Sequence, residues 1–168
     1  MSRRTAAALL VWGLLLSPGC GYTLKTVPPY GLQTLFVETF RNDTFEPGLE
    51  IDLTNGVIER FLYDGTLRVV PKQEADAVLK GKITKFQREV LRSTSADEVL
   101  EYRLILTTEF SLWDNRTQKT LWEEKNFVAD TGFFVSGSSE KSEEKATQKA
   151  ITELARRIVD RVVEEWPE

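Results

Sequence analysis

Cys20 is the one cysteine of this 168-residue chain, and it stands where a short apolar segment ends, in Leu16-Ser17-Pro18-Gly19-Cys20-Gly21-Tyr22. A cysteine that becomes the first residue after signal cleavage can be acylated on its sulfur and its amine. Each buried CH₂ of such chains contributes about 0.8 kcal/mol to membrane anchoring, so two or three chains hold a domain far better than one. Arg3 and Arg4 precede the apolar run Ala6–Leu16, the charged and apolar regions of a secretory signal. As a helix that run is roughly 16 Å long, about half a bilayer core, so it reads as a signal and not as a membrane span. Ser17 stands where such signals usually carry Leu, and Pro18 where a small residue is usual. The other reading is therefore a secreted protein with an incidental thiol. Gly21 in place of Asp points to the periplasmic leaflet of an outer membrane.

Other reactive chemistry is sparse. The chain has no histidine, which excludes His-dependent acid/base work, Ser-His or Cys-His nucleophiles and His-ligated zinc. Two pairs of acids, Glu123-Glu124 and Glu143-Glu144, are adjacent residues that point in different directions on a strand or a helix, and they read as solvated charge. Neither a catalytic set nor a metal or cofactor site is expected, and a carboxylate-based hydrolase ranks last among the function classes. Without residues 1–19 the chain carries 20 Lys plus Arg against 26 Asp plus Glu, a formal charge near −6, which disfavours nucleic acid as a partner.

Binding residues are more plentiful. Between Lys80 and Arg92 the acidic chain reverses sign, with Lys80, Lys82, Lys85, Arg88 and Arg92 against Glu89 alone. Such a strip would meet anionic phosphates of a glycolipid, or it is ordinary strand solvation and edge protection. Trp113 and Trp122 flank a tight loop that brings them close on neighbouring strands. They form an outer-face partner patch or they cap the edge of the core. Phe133 and Phe134, in Thr131-Gly132-Phe133-Phe134-Val135-Ser136-Gly137, either insert into a partner or a membrane boundary as a mobile loop, or tuck under the final helix.

Residues 1–19 form a signal peptide, 20–31 an extended linker with Pro28-Pro29, and 32–168 one domain large enough for its own core. Leu32–Phe40 reads as a strand. Pro47 sits in the first turn of a helix that Asp64-Gly65 stops, with Leu49, Leu53, Val57 and Phe61 on one face. Leu67–Val70 is a short strand and Ala77–Leu91 a long one. In the long strand the apolar parity slips between Ile83 and Phe86, which predicts a bulge near Thr84 and Lys85. A strand ending at Asp114-Asn115 and its partner Leu121–Asp130 make a hairpin around Asn115–Lys119. A flexible Thr131–Ser139 stretch leads to a helix from Ser139 to Trp166. Two amphipathic helices need one sheet face to cover. The economical fold is thus an α+β two-layer sandwich, with both helices on one face of a mostly antiparallel or mixed four- to five-stranded sheet and the other face open.

Taken together, Cys20-Gly21-Tyr22-Thr23-Leu24, the string Val37 to Glu50 with Asn42-Asp43-Thr44-Phe45-Glu46-Pro47-Gly48-Leu49, Ala75 to Gly81, Glu101 to Leu104 and Leu121 to Glu124 resemble the outer-membrane lipopolysaccharide-assembly lipoprotein family LptE, once called rare lipoprotein B. That resemblance covers nearly all of the chain after Cys20. It implies a non-enzymatic protein, held at the cell outer membrane by acyl chains. Such a protein sits as a plug in the lumen of the β-barrel LptD, helps that barrel assemble and contacts lipopolysaccharide on its way to the outer leaflet. Only Cys20 carries over residue by residue; the five bases are candidates by charge. The competing class is an independent periplasm-facing lipoprotein, an adaptor or ligand-binding module of another envelope complex.

Overall fold

The structure, a computed structural model, describes residues 31–95, 99–135 and 139–163. The signal, Cys20, the linker to Tyr30, Ser136-Gly137 and the expected helix end at Trp166 lie outside the described residues. In chain order come β1 (Thr34–Val37), β2 (Arg41–Asn42), α1 (Leu49–Asp64), β3 (Arg68–Val69), a 3₁₀ turn at Lys72–Glu74, β4 (Ala77–Ser93), β5 (Val99–Asp114), β6 (Lys119–Phe134) and α2 (Ser139–Val163).

The sheet runs β3-β1-β4-β5-β6, with β2 also on β4. β1 pairs in parallel with β3 and β4, β2 in parallel with β4, and β4-β5-β6 is antiparallel. It is the expected α+β sandwich on a mixed sheet, with one more strand because Leu32–Phe40 does not run through as one element. Glu38–Phe40 leave the ladder so that the Phe40 ring can lie over Gly81, where a Cβ would come within 2.3 Å of it, and the Phe40 N–H donates to Thr54 Oγ1 at 3.0 Å. β2 then resumes the pairing.

α1 buries Leu49, Leu53, Val57 and Phe61, the four-residue spacing read from the sequence. It begins after Pro47, not at it, because Gly48 takes φ 89°, and it ends on Gly65 at φ 74°, the left-handed stop that Asp64-Gly65 announces. Gly56 lets α1 approach α2, its absent Cβ lying 3.3 Å from the Ala155 Cβ. α2 answers with Ala150, Ile151, Leu154, Ile158, Val159 and Val162, all buried.

In β4 the register with β5 slips between Ile83 and Lys85, so the bulge sits at Thr84 as the parity shift requires. The flexible loop expected from Thr131 is not one: Thr131–Phe134 continue β6, paired with Glu101–Leu104 of β5. Ala129, Thr131 and Phe133 are buried while Asp130, Gly132 and Phe134 are exposed, the alternation of a half-covered strand.

Polar side chains lock the lower end of the sheet. Asp76 Oδ2 accepts the Gln33 and Thr34 N–H groups and the Thr34 hydroxyl, each at 3.0 Å, which ties β1 to the start of β4. Asn115 Nδ2 donates to the carbonyls of Lys72 and Ala75 at 3.0 Å, tying the β5-β6 hairpin to the 3₁₀ turn. Asp114 Oδ1 accepts the N–H groups of Arg116 and Thr117 at 2.8 and 3.1 Å and so sets the hairpin itself.

Candidate interaction surface

Both helices cover the face that carries Leu79, Ile83, Leu106, Leu112 and Trp122. Opposite parity places Lys80, Lys82, Lys85, Arg103, Glu109, Trp113, Glu123 and Asp130 on the face that neither helix covers, open among the described residues. The linear basic strip does not survive as a basic patch. Lys80, Lys82 and Lys85 share the open face, but the bulge at Thr84 turns Arg88 to the helix side, where it pairs with Glu143 and lies 5.5 Å over the Tyr102 ring. Arg92, beyond a further register shift, pairs with Glu101 at 3.4 Å.

Acids from other strands neutralise much of what remains. Lys82 Nζ lies 3.3 Å from Glu109 and 3.4 Å from Asp43, and Glu109 first, then Asp43, holds it protonated above the ordinary lysine range. Lys80 Nζ sits 4.4 Å over the Trp113 indole, a cation–π contact. Arg103–Asp130 at 3.0 Å and Lys125–Glu123 at 2.8 Å extend the alternation. Lys85 is exposed and has no ion pair among the described residues. A shallow groove of about 360 Å³ brings Arg41 and Lys125 beside Lys80 and Lys82, with Glu38 and Glu109 on its walls. Arg41 and Lys125 were invisible as partners of the strip because they arrive from β2 and β6, and only the sheet order unites them.

The Glu123-Glu124 pair is split between the two faces, while Glu143 and Glu144 border one depression beside Arg88, to which Glu143 is paired. Glu123 faces the open side and Lys125, whereas Glu124 points under α2 to Arg161 at 3.0 Å. Among the described residues no cluster of three or more potential metal ligands occurs, and no helix is long and apolar enough to cross a membrane.

The tryptophans separate. Leu112 pairs with Trp122 and Trp113 with Thr120 across a bulge at Leu121, so the two indoles lie on opposite faces. Trp122 is buried in the core, edge-on to Phe110 with ring centres 5.8 Å apart. Trp113 is half-buried on the open face beside its register partner Val78. Phe133 and Phe134 separate in the same way: Phe133 is buried against Tyr102, ring centres 5.6 Å apart, and Phe134 is 57% exposed at the sheet's end.

Comparison with known proteins gives one family. The family model LptE, lipopolysaccharide-assembly, matches residues 32–164. Similar folds occur in protein XCC0632 of Xanthomonas campestris (TM-score 0.58, 13% identity, 78% of this chain and 84% of that one). A minor lipoprotein of Acinetobacter baumannii is also similar (0.56, 15%, 79% and 93%). So is the rare lipoprotein B of Shewanella oneidensis (0.50, 18%, 77% and 90%). At these identities the structural likeness establishes the fold. No curated protein matches the sequence.

Proposed function

The chain belongs to the LptE lipopolysaccharide-assembly family, a non-enzymatic one, and from that premise we propose a more specific role. It is an outer-membrane lipoprotein, acylated at Cys20, that plugs and helps assemble an LptD-type β-barrel and takes part in lipopolysaccharide delivery to the outer leaflet. The observation that carries this reading is the family match across the whole described domain. The open face supports it physically. An alternating field of paired charges around one half-buried indole suits a polar barrel lumen better than an apolar partner, since interfaces place aromatic anchors within a polar rim.

Within this reading Trp113 and Phe134 are the aromatic groups that reach the partner. Trp122 and Phe133 act from beneath by fixing the strands that present them. Of the basic strip, Lys80 and Lys85 are the cations most available to lipopolysaccharide phosphates. Lys82, Arg88 and Arg92 are already engaged by acids and would exchange those partners on contact. Reversing Lys80 and Lys85 together to Glu is expected to weaken binding to purified lipopolysaccharide by about fivefold or more while leaving the circular dichroism spectrum unchanged. Unchanged affinity removes the strip from the reading.

The deciding experiment is purification of the C-terminally tagged protein from detergent-solubilised envelopes, with mass spectrometry of its N-terminus and of whatever accompanies it. An acylated Cys20 travelling with one large β-barrel is the expected result. An acylated chain arriving alone would transfer the assignment to an independent periplasm-facing module.

A further inference from the structure

Phe45 is fully exposed, at 108% of its reference area, although the loop that carries it is tightly built. Asn42 Nδ2 donates to the Glu46 carbonyl at 2.7 Å and to Glu50 Oε2 at 2.8 Å. Its Oδ1 accepts the Thr44 N–H at 3.0 Å and the Thr44 hydroxyl at 2.7 Å, and the Glu46 N–H donates to Thr44 Oγ1 at 3.2 Å. Glu50 is held below the usual carboxylate range by its own backbone N–H and then by the Asn42 amide, so it remains an acceptor for that network. A single exposed apolar side chain needs no explanation. A ring held outward by five hydrogen bonds, beside an unfinished sheet edge, does.

The edge begins where this loop leaves the sheet. β2 pairs with β4 at Arg41↔Lys82 and Asn42↔Ile83, the Asp43 N–H donates to the Ile83 carbonyl at 2.9 Å, and there the ladder stops. From Lys85 to Ser93 no strand lies on the outer side of β4 among the described residues. The carbonyls of Leu79 and Ile83 accept bonds from Glu38 and Asp43, so odd residues face that side up to the bulge. The extra residue at Thr84 reverses the parity, and Phe86, Arg88 and Val90 turn their N–H and C=O groups to the vacant side. Between the two register shifts Lys85–Val90 stay regular with β5, a length of about 20 Å. Phe45 and Phe86 line one depression of about 290 Å³ at the head of this edge, with Thr44, Glu46, Lys85 and Gln87. The outer edge of β6, by contrast, is broken by a bulge whose Asn126 takes φ 54°, a usual protection against strand addition.

We propose that the β4 edge from Lys85 to Val90 is a strand-addition site, where an extended, acid-bearing segment of the barrel partner continues the line of β2 and is pinned at its start by Phe45. The inference rests on the barrel-partner reading above. These outward N–H and C=O groups, without a protein partner among the described residues, are a template for another strand. Charge favours an acid-bearing strand: Lys85, exposed at the head of the edge, lacks an ion pair among the described residues, and Arg88 and Arg92, held by Glu143 and Glu101, can exchange those partners on contact. A second copy of this chain is the competing occupant, and the crosslinks below distinguish it.

The test uses the full acylated chain co-expressed with its barrel, with a photo-crosslinking amino acid at position 45 or 87 and mass spectrometry of the crosslinked peptides. Two variants accompany it: Phe45→Ala, which removes an exposed ring, and Val90→Pro, which removes one outward N–H. Crosslinks from both positions to one acid-bearing segment of the barrel are expected, with barrel recovery falling by about tenfold in each variant. Crosslinks to a second copy or to lipopolysaccharide overturn the inference, as does wild-type recovery of barrel with both variants. Absence of the barrel from the wild-type preparation removes the barrel reading itself, and this inference with it.

Discussion

β4 is one continuous strand in two environments. From Ala77 to Ile83 it lies between β1 or β2 and β5, beneath the helices, with Ala77, Val78, Leu79 and Ile83 wholly buried. From Lys85 to Ser93 β5 is its one strand neighbour among the described residues, and every residue except Phe86 is exposed. Unbroken backbone pairing therefore does not imply uniform stability. The clamped half gains hydrophobic burial on top of its hydrogen bonds, while the distal half has little beyond the ladder itself, so the first should hold the fold and the second should be free to bind. Leu79→Ala in the clamped half is expected to cost about 3 kcal/mol by urea denaturation, and Leu91→Ala in the distal half under about 0.5 kcal/mol. Equal losses would erase the distinction.

A smaller effect is expected at the polar clamp below. Burial pushes the Asp76 carboxyl up, but the Gln33 and Thr34 donors outweigh it and hold the group below its ordinary range. Asp76→Ala leaves those donors without their acceptor and is expected to cost about 2 kcal/mol. A carboxylate depressed in the folded state stabilises fully above its unfolded pKa of about 3.9 and loses that contribution as pH falls through the folded value. The gap between wild type and Asp76→Ala should thus hold from pH 7 to pH 5 and close below about pH 4. A gap that stays constant to pH 3 would show that packing, not the carboxylate, joins β1 to β4.

Two glycines carry the comparison into the backbone. A Cβ on Gly81 would meet the Phe40 ring at 2.3 Å, and that ring, 1% exposed, has nowhere to go; Gly81→Ala should cost about 1.5 kcal/mol. On the distal half a Cβ at Gly132 meets Glu101 Oε1 at 3.3 Å and Leu91 Cδ1 at 3.8 Å. The nearer contact is the end of the Glu101 side chain, largely buried and paired with Arg92, which need give only a few tenths of an ångström, so Gly132→Ala should cost under about 1 kcal/mol.

Much of the clamped half was legible in the sequence because its signals are local. The helical spacing of Leu49, Leu53, Val57 and Phe61, the Asp64-Gly65 stop and the parity slip at Thr84 each lie within one element. The surface was less legible because its partners come from different elements. Lys82 looks free beside its neighbours, yet Glu109 of β5 and Asp43 after β2 close on it. The Trp113–Trp122 separation depends on a one-residue bulge at Leu121, which no residue type announces. Thr131–Phe134 is a different failure. The alternation Ala129, Thr131, Phe133 is that of a strand, but the glycines around three consecutive large apolar residues read as a mobile loop, whereas Gly132 sits within the ladder opposite Arg103, close to Leu91.

A small expected effect is the most discriminating for the distal half. Arg103 and Asp130 face each other across β5 and β6 at 3.0 Å, with side-chain exposures of 42% and 43%. At such exposure the Coulomb gain is screened and offset by lost side-chain freedom, so Arg103→Gln should cost only about 0.5 kcal/mol, and less in 0.5 M salt. If the distal arms were a second structural core, this pair would behave as a buried one, with a loss of about 3 kcal/mol that salt leaves intact. A small, salt-erased loss instead means that these charges are held loosely enough to trade one another for the groups of a partner.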